Sequence, residues 1–548
     1  MELNFKNYYK QEKNLLNLIE TSDFISFDLE MTGIENDKNN NIIDTPEYRY
    51  LKYKKTSEKY SIIQLGLSFF KLTTNPNIYH KQICYECSPY NIYLFPNAKD
   101  LKEISQDKLN LEVKCMHFNQ KGKIDFNKWI NEGIQYLNEK QYRELYKNIT
   151  ENNINNDNFY IDTSNFKQKD IDIAEKNIEN IKNNFINNGK IYNTNYVINC
   201  LPKYILYYIK KKLPNNLYFQ ENNKFNNKSF CTLITGYKTK EEKDKLYMED
   251  ILNQLKELNH KKGVKKLIEA IFNKFYLGDI DIDISKDDIY KYNNIKNEKK
   301  ILIGHNMSLD LMFIISKLGD TLPNKYSDFK NMLKDKLNCI YDTKFLFEEF
   351  KNSNINKNNI IIKDIKSVLD NMYPYLKSTY DEFIKIKIKP NDDLLKEGTY
   401  HNAGYDSFVT GACFLYMKNA MKNSDFLEKN KNQIYLMNSL YKSININKIE
   451  DDYIIDISND NENIFVYRGI KKITEVNFEV VFGKKLWNDT VIKIIYCEKN
   501  NIMIIFTNFD NKTNNENKTI FKTISFSKLN KNKFTCFILK EFRDKYMK

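Results

Sequence analysis

Runs of apolar residues separated by charged and Asn-rich stretches set the layout of this chain. DFISFDLEMTGI begins with a Phe- and Ile-rich run that predicts a buried strand. YSIIQLGLSFF, from Tyr60, predicts a second strand after the polar stretch EYRYLKYKKTSEK, and QICYEC a third. Three successive strands imply antiparallel pairing. Farther on, KKILIGHN at Lys299–Asn306 reads as a strand running into a loop, and SLDLMFIISKL carries helical apolar spacing. The change to strand-then-helix predicts a mixed α/β sheet.

Polar text divides the chain. KNITENNINND, Lys147 to Asp157, is a low-complexity insertion with little capacity to pack. From about Asp170 to Lys245, DIAEKNIENIKNNFI and YILYYIKKKL read as helices and FCTLITGY as β structure, a small α/β unit set inside the chain. After Lys429 the segments NIFVYRGI, EVNFEVVFGKKL, VIKIIYCEKN and NIMIIFTNF alternate strand, helix, strand, strand. That order suits the first half of an RNA-recognition-type sheet domain, although its glycine and aromatic consensus is not evident. The domains expected are therefore 1–165 and 251–430 for one split core, 166–250 for the insert and 435–548 for the terminal α+β unit.

The 548 residues suffice for more than one core, and 41% hydrophobic with 14% aromatic residues is a globular composition. The net charge of +13, from 85 basic and 72 acidic residues, permits a nucleic-acid partner without requiring one. Basic runs at Lys52–Lys55 and Ile209–Lys212 could follow a phosphate backbone or be solvated faces. The amino terminus lacks the apolar core of a signal peptide, and no segment approaches the apolar length of a membrane span, so no membrane role is expected. Nine scattered cysteines do not form a disulfide framework. Cys84 and Cys87, with Cys115 and His117, could be weighed as zinc ligands. Since QICYEC and EVKCMHF both read as strands, buried strand cysteines are the better reading.

Chemistry concentrates in carboxylates. Asp28 and Glu30 stand two apart at the end of an apolar strand, whose period of two aims both at one face. Two such anions repel when dry, and divalent cations bridging them reverse the sign. Asp310 lies in GHNMSLDLMF at the start of a helix, where it either complements the helix dipole or projects over the sheet beside Asp28. In HNAGYDSFVTGACFLYM, His401 precedes Asp406 and an apolar helix spans Phe408 to Met417. With Gly404 between them, His401 falls on the incoming turn as a candidate general base and Asp406 points inward.

Asp28, Glu30, Asp310, His401 and Asp406 occur in the order and context of the DEDD exonucleases of the histidine type. FDLEMTGI, TPEYRYLKYKK with IIQLGLSFF, IDFNKWINEGIQYLN, IGHNMSLDLM, YDTKFLF and HNAGYDSFVTGACF closely resemble the poly(A)-specific ribonuclease family, collinear over roughly the first three quarters of the chain. The resemblance implies an RNase H-like nuclease core of α/β class, an inserted small α/β nucleic-acid-binding-like domain and a carboxy-terminal RRM-like domain. It also implies a homodimer acting in nucleus and cytoplasm on RNA with a 3′ poly(A) tail. Two Mg²⁺ ions, with Mn²⁺ a possible substitute, would be held by Asp28, Glu30, Asp310 and Asp406, with His401 deprotonating the attacking water.

Ile34 and Lys344 correspond to substrate-contacting positions, against base and phosphate respectively. Met31 stands where the family tends to carry an aromatic. The insert departs from the family's Arg-x-x-x-His signature, as no histidine lies between His117 and His260. Tyr496 falls about where relatives stack an aromatic on the methylated guanine of an mRNA cap. Packing in the sheet is its other role, and Trp487, in the loop before it, is the other aromatic candidate. Two rival functions remain open: a trimmer of non-coding RNA ends with weak adenosine preference, and an inactive RNA-binding scaffold.

Overall fold

The computed structural model describes residues 1–35, 44–74, 82–96, 109–151, 166–185, 195–199, 201–213, 215, 217–222, 231–237, 239–272, 300–337, 339–353, 360–389, 400–421, 424–437, 439, 441–448, 464–469, 478–497, 502–507, 519–521, 523, 534–539, 541 and 545. Strands in chain order are β1 (Glu2–Leu3), β2 (Phe24–Met31), β3 (Ile62–Thr74), β4 (Ile83–Pro96) and β5 (Ile134–Tyr136). The insert holds β6 (Asn195–Asn199), β7 (Leu217–Asn222) and β8 (Cys231–Gly236). Then come β9 (Ile301–Gly304), β10 (Cys339–Asp342), β11 (Ile384–Ile388), β12 (Gln433–Tyr435) and β13 (Ser443–Asn445). Last are β14 (Ile464–Gly469), β15 (Val491–Cys497), β16 (Ile502–Thr507) and β17 (Phe534–Ile538).

The principal sheet runs β1-β4-β3-β2-β9-β10, with β5 and β11 also pairing β4. Strands β2, β3 and β4 pair antiparallel, as three consecutive apolar runs predict, whereas β9 joins β2 parallel and β10 joins β9 parallel. The parallel step from β9 to β10 needs a crossover, which the helices Ser308–Leu318 and Tyr326–Lys336 provide. Helix Ala403–Met421 lies across the sheet with every residue from Ala403 to Met417 buried, so a continuous apolar run forms a core helix rather than a strand.

Its close seating comes from glycine. A Cβ on Gly66 of β3 would stand 1.8 Å from the Ala403 carbonyl oxygen, and one on Gly404 2.6 Å from Asn91 Cβ. Ser26 Oγ donates to the Ser407 carbonyl at 2.7 Å, and the Ser68 and Ser407 hydroxyls share a 2.8 Å bond, stitching helix to sheet.

Several sequence expectations change. EYRYLKYKKTSEK is not a polar connection: Pro46–Lys59 is a helix, capped by Thr45 and burying Arg49, Tyr50 and Tyr53. Within it Lys52 pairs with Asp44 and Lys54 with Glu58, so two of that run's three lysines are already engaged. EVKCMHF is helical, Val113–Lys121, rather than a strand. Cys84 and Cys87 do lie on a strand, β4, and Cys115 donates its thiol to the Met31 carbonyl at 3.1 Å. Among the described residues these side chains belong to no cluster able to hold a metal.

The insert is a three-stranded antiparallel sheet, β6-β8-β7, packed on helices Gln168–Phe185 and Lys203–Lys212. The boundary expected at 250/251 falls inside one continuous helix, Lys240–Lys261. Its Asp250 accepts the Tyr218 hydroxyl of the insert at 3.0 Å, while Tyr9 of the amino-terminal helix stacks on His260 at 3.8 Å.

The terminal sheet runs β15-β16-β14-β17, all antiparallel, with helices Phe478–Phe482 and Lys484–Thr490 between its first two strands in sequence. Trp487 is in the second of these helices, not in a loop, and is buried against Phe478 and Phe482. It is therefore a core residue. Tyr496 pairs with Met503 in the β15–β16 ladder; its side chain lies outside the described ones. Among the described residues no helix is long and apolar enough to cross a membrane.

Candidate active site

The carboxylates collect where β2, the turn after β9 and the start of helix Ala403–Met421 meet. Asp28 pairs with Gly66 across the β2–β3 ladder, so the residue opposite it has no side chain and the helix backbone can come down beside it. Carboxylate oxygens of Asp28, Glu30 and Asp406 all lie within 4.8 Å of one another. Asp310, in the first turn of Ser308–Leu318, lines the same cavity of about 490 Å³, as do His401, Ile34 and Lys344. All of the residues singled out for the nuclease centre thus meet in one place, while Tyr496 belongs to another sheet.

The backbone around them is held from below. Asp342 ends β10 and is fully buried. Its carboxylate accepts N–H groups from Asn306 at 2.9 Å, Met307 at 3.1 Å, Lys344 at 3.0 Å and Tyr435 at 3.0 Å. One side chain therefore fixes the turn before Asp310, caps the helix carrying Lys344 and ties down β12. At the end of β2, the Met31 carbonyl accepts Asn119 Nδ2 at 2.9 Å, and just past it Glu112 accepts the Ile34 and Glu35 N–H groups at 3.0 and 2.9 Å. Ile34 is thereby held at the cavity wall.

His401 has a positive φ of 70° and donates its N–H to Asp406 Oδ2 at 2.9 Å. Its ring meets the edge of Phe118 at 4.4 Å. Asp406 Oδ1 is buried without a hydrogen-bond partner. A buried orphan carboxylate oxygen is costly unless a cation takes it up.

The electrostatics agree. Burial pushes the Asp28 carboxyl well above its usual range, and Asp406, Asp310 and Glu30 push it further. Glu30 is raised by burial and then by Asp406 and Asp310. Burial together with Asp342 lifts Asp310 to about 8, and burial lifts Asp406 to about 7. Asp370, which sequence reasoning missed, adds another carboxylate to the cavity lining. Burial holds the His401 imidazole below its ordinary value despite the opposing pull of Asp370, which keeps it neutral and able to accept a proton. The Lys344 ammonium is part-buried and lies 5.4 Å from the centre of the Tyr435 ring. Clustered hard oxygen donors that repel one another fit divalent cations of the Mg²⁺ or Mn²⁺ kind.

A mixed sheet carrying such a cluster beside a neutral imidazole is suited to a hydrolase that acts on phosphodiesters. Residues 3–414 match the CAF1 family ribonuclease domain, three quarters of the chain, and the chain belongs to that family. Among relatives, the poly(A)-specific ribonuclease PARN of Xenopus laevis is 23% identical over 476 residues, covering 83% of this chain and 68% of that protein. The pre-piRNA 3′-exonuclease trimmer of Bombyx mori is 24% identical over 433 residues, covering 76% and 70%. S. pombe Pop2p, solved in a form with Mg²⁺ and Mn²⁺ bound, is 11% identical with a TM-score of 0.36, covering 79% of this chain and 98% of that one.

Proposed function

We propose that this protein is a 3′→5′ exoribonuclease that removes poly(A) tails with the help of two Mg²⁺ ions and releases 5′-AMP. The observation that carries the reading is the triad of Asp28, Glu30 and Asp406 oxygens within 4.8 Å, facing the cavity shared with Asp310, in a CAF1-family ribonuclease. Asp28, Glu30, Asp310 and Asp406 hold the ions. When bound, these supply Lewis-acid stabilisation of the phosphodiester and acidify a water. His401, neutral beside Asp406, takes the proton of the attacking water on its ring nitrogen. Lys344 meets the phosphates with its ammonium, and Ile34 offers an apolar face to a base.

A second reading, a trimmer of non-coding RNA 3′ ends, is supported by the silkworm trimmer relative. One experiment separates them: Mg²⁺-dependent digestion of labelled RNAs with A-rich and mixed 3′ ends. Faster removal of adenosines with mononucleotide product supports the deadenylase, equal rates on all ends support the trimmer, and no hydrolysis leaves an RNA-binding scaffold. The homodimer and cap stacking by an RRM-like terminal domain belong to the same proposal. Sedimentation tests the first, and cap-analogue binding by Tyr496→Ala the second.

A further inference from the structure

A lysine that is to meet phosphate has to be held in place without being neutralised. A carboxylate close enough to fix it by an ion pair also competes for its charge. The Lys344 ammonium is held otherwise. Among the described residues no carboxylate comes within ion-pair reach of its Nζ, which lies over the Tyr435 ring at 5.4 Å from the centre. Burial lowers the Lys344 pKa from the usual lysine range, against the smaller opposing pull of Asp342 and Glu348. An ammonium stripped of part of its water gains more from an aromatic face than a fully solvated one does.

The ring itself is fixed from two sides. From Ile434 to Leu436 the chain alternates: Ile434 and Leu436 are buried in the main core, together with Ile444 of β13 and Ile464, Val466 and Ile504 of the terminal sheet. Tyr435 lies between them and so faces the other way. Its N–H donates to Asp342 Oδ2 at 3.0 Å, while Oδ1 of the same carboxylate accepts the Lys344 N–H at 3.0 Å. Asp342 therefore sets both backbones in register and leaves ring and ammonium opposite each other. Lys344 lines the cavity and Tyr435 does not, so the ring can act on a substrate only through the ammonium.

We propose, resting on the ribonuclease reading above, that Tyr435 is a positioning residue whose aromatic face holds the Lys344 ammonium toward the RNA phosphates while leaving its charge uncompensated. A ring attracts a cation through its quadrupole and carries no formal charge, so the hold persists when phosphate arrives.

The test uses the full chain with Mg²⁺ and steady-state hydrolysis of a labelled oligoadenylate. Tyr435→Leu keeps an apolar side chain and removes the aromatic face; it should lower kcat/KM by about 2- to 5-fold, chiefly through KM. Tyr435→Phe, which keeps the face, should recover most of that loss. In a Lys344→Gln background there is no cation to hold, and Tyr435→Leu should cost nothing further. A ring that only packs would cost the same factor in both backgrounds, and that result overturns the proposal. So does a Tyr435→Phe protein that falls as far as Tyr435→Leu, or a Lys344→Gln protein with the wild-type kcat/KM. Tyr435→Met, a flexible apolar filler, carries the same comparison if thermal unfolding shows the leucine variant to be unfolded. Absence of Mg²⁺-dependent RNA hydrolysis sinks the ribonuclease reading itself, a result distinct from hydrolysis in which the two losses simply multiply.

Discussion

Gly66→Ala tests whether the backbone contact between β3 and helix Ala403–Met421 sets the catalytic geometry. The added Cβ would stand 1.8 Å from the Ala403 carbonyl oxygen, 2.2 Å from its carbonyl carbon and 2.8 Å from the Gly404 nitrogen. All three are backbone atoms, so no rotamer relieves the overlap. Restoring ordinary contact requires the helix start to retreat by about 1.5 Å. Asp406 and its hydrogen bond from the His401 N–H ride on that helix start, while Asp28 stays on β2 opposite Gly66. Misplacement by about 1 Å commonly costs on the order of 100-fold in rate. Overpacking of this kind costs about 1–3 kcal/mol of stability, a loss that a chain of this size should survive folded. The assay is single-turnover hydrolysis of a labelled oligoadenylate in saturating Mg²⁺, with thermal unfolding run in parallel. A folded Gly66→Ala protein whose rate stays within about twofold of wild type would refute the claim that this contact positions Asp406.

Asp28→Ala should abolish hydrolysis while RNA binding, measured by filter retention or anisotropy, is largely kept, because cation ligation is lost but the phosphate and base contacts remain. Metal-free protein should lose stability as pH rises. The folded carboxyls of Asp310, at about 8, and Asp406, at about 7, bind protons that the unfolded chain has released from about pH 4 upward, so their charging within the fold opposes folding through the window from about pH 4 to 8. The gain in melting temperature on adding Mg²⁺ should grow across that window; a shift independent of pH would remove these carboxylates from the cation site. Lys344→Gln should flatten the dependence of log affinity on log salt for oligoadenylate by about 0.7, the share of one phosphate contact on a single strand, and an unchanged slope would place the ammonium away from the phosphates.

The carboxylate cluster was legible because local periodicity suggested a direction for each member and their order along the chain resembled one family. Asp28 and Glu30 follow from the strand's period of two, and Asp310 and Asp406 from the first turns of apolar helices. Asp342 was not legible. Its role is to collect N–H groups from segments as far apart as Asn306 and Tyr435, and nothing in YDTK announces that. Helix Pro46–Lys59 was hidden because its buried side chains include Arg49, Tyr50 and Tyr53, so the sequence looks polar throughout. Arg49 is buried through its 3.2 Å ion pair with Asp44 and a 2.8 Å bond to the Met437 carbonyl, a partner 388 positions away. Trp487 misled for the opposite reason: a short helix after Gly483 turns an apparent loop aromatic into core.

The uninterrupted helix Lys240–Lys261 makes the insert something other than a detachable cassette. The middle of this rod is bonded to the insert's sheet through Asp250, and its carboxy-terminal end leans on the amino-terminal helix through His260. Its 22 residues span about 33 Å at 1.5 Å per residue, a lever whose tilt at one end is felt at the other. Excising 166–250 would leave only the second half of that rod, with Leu258 and the stacked His260 deprived of the helix that leads into them. A graft from a relative would have to keep the rod's helical phase, since adding or removing one residue turns the incoming domain by about 100°.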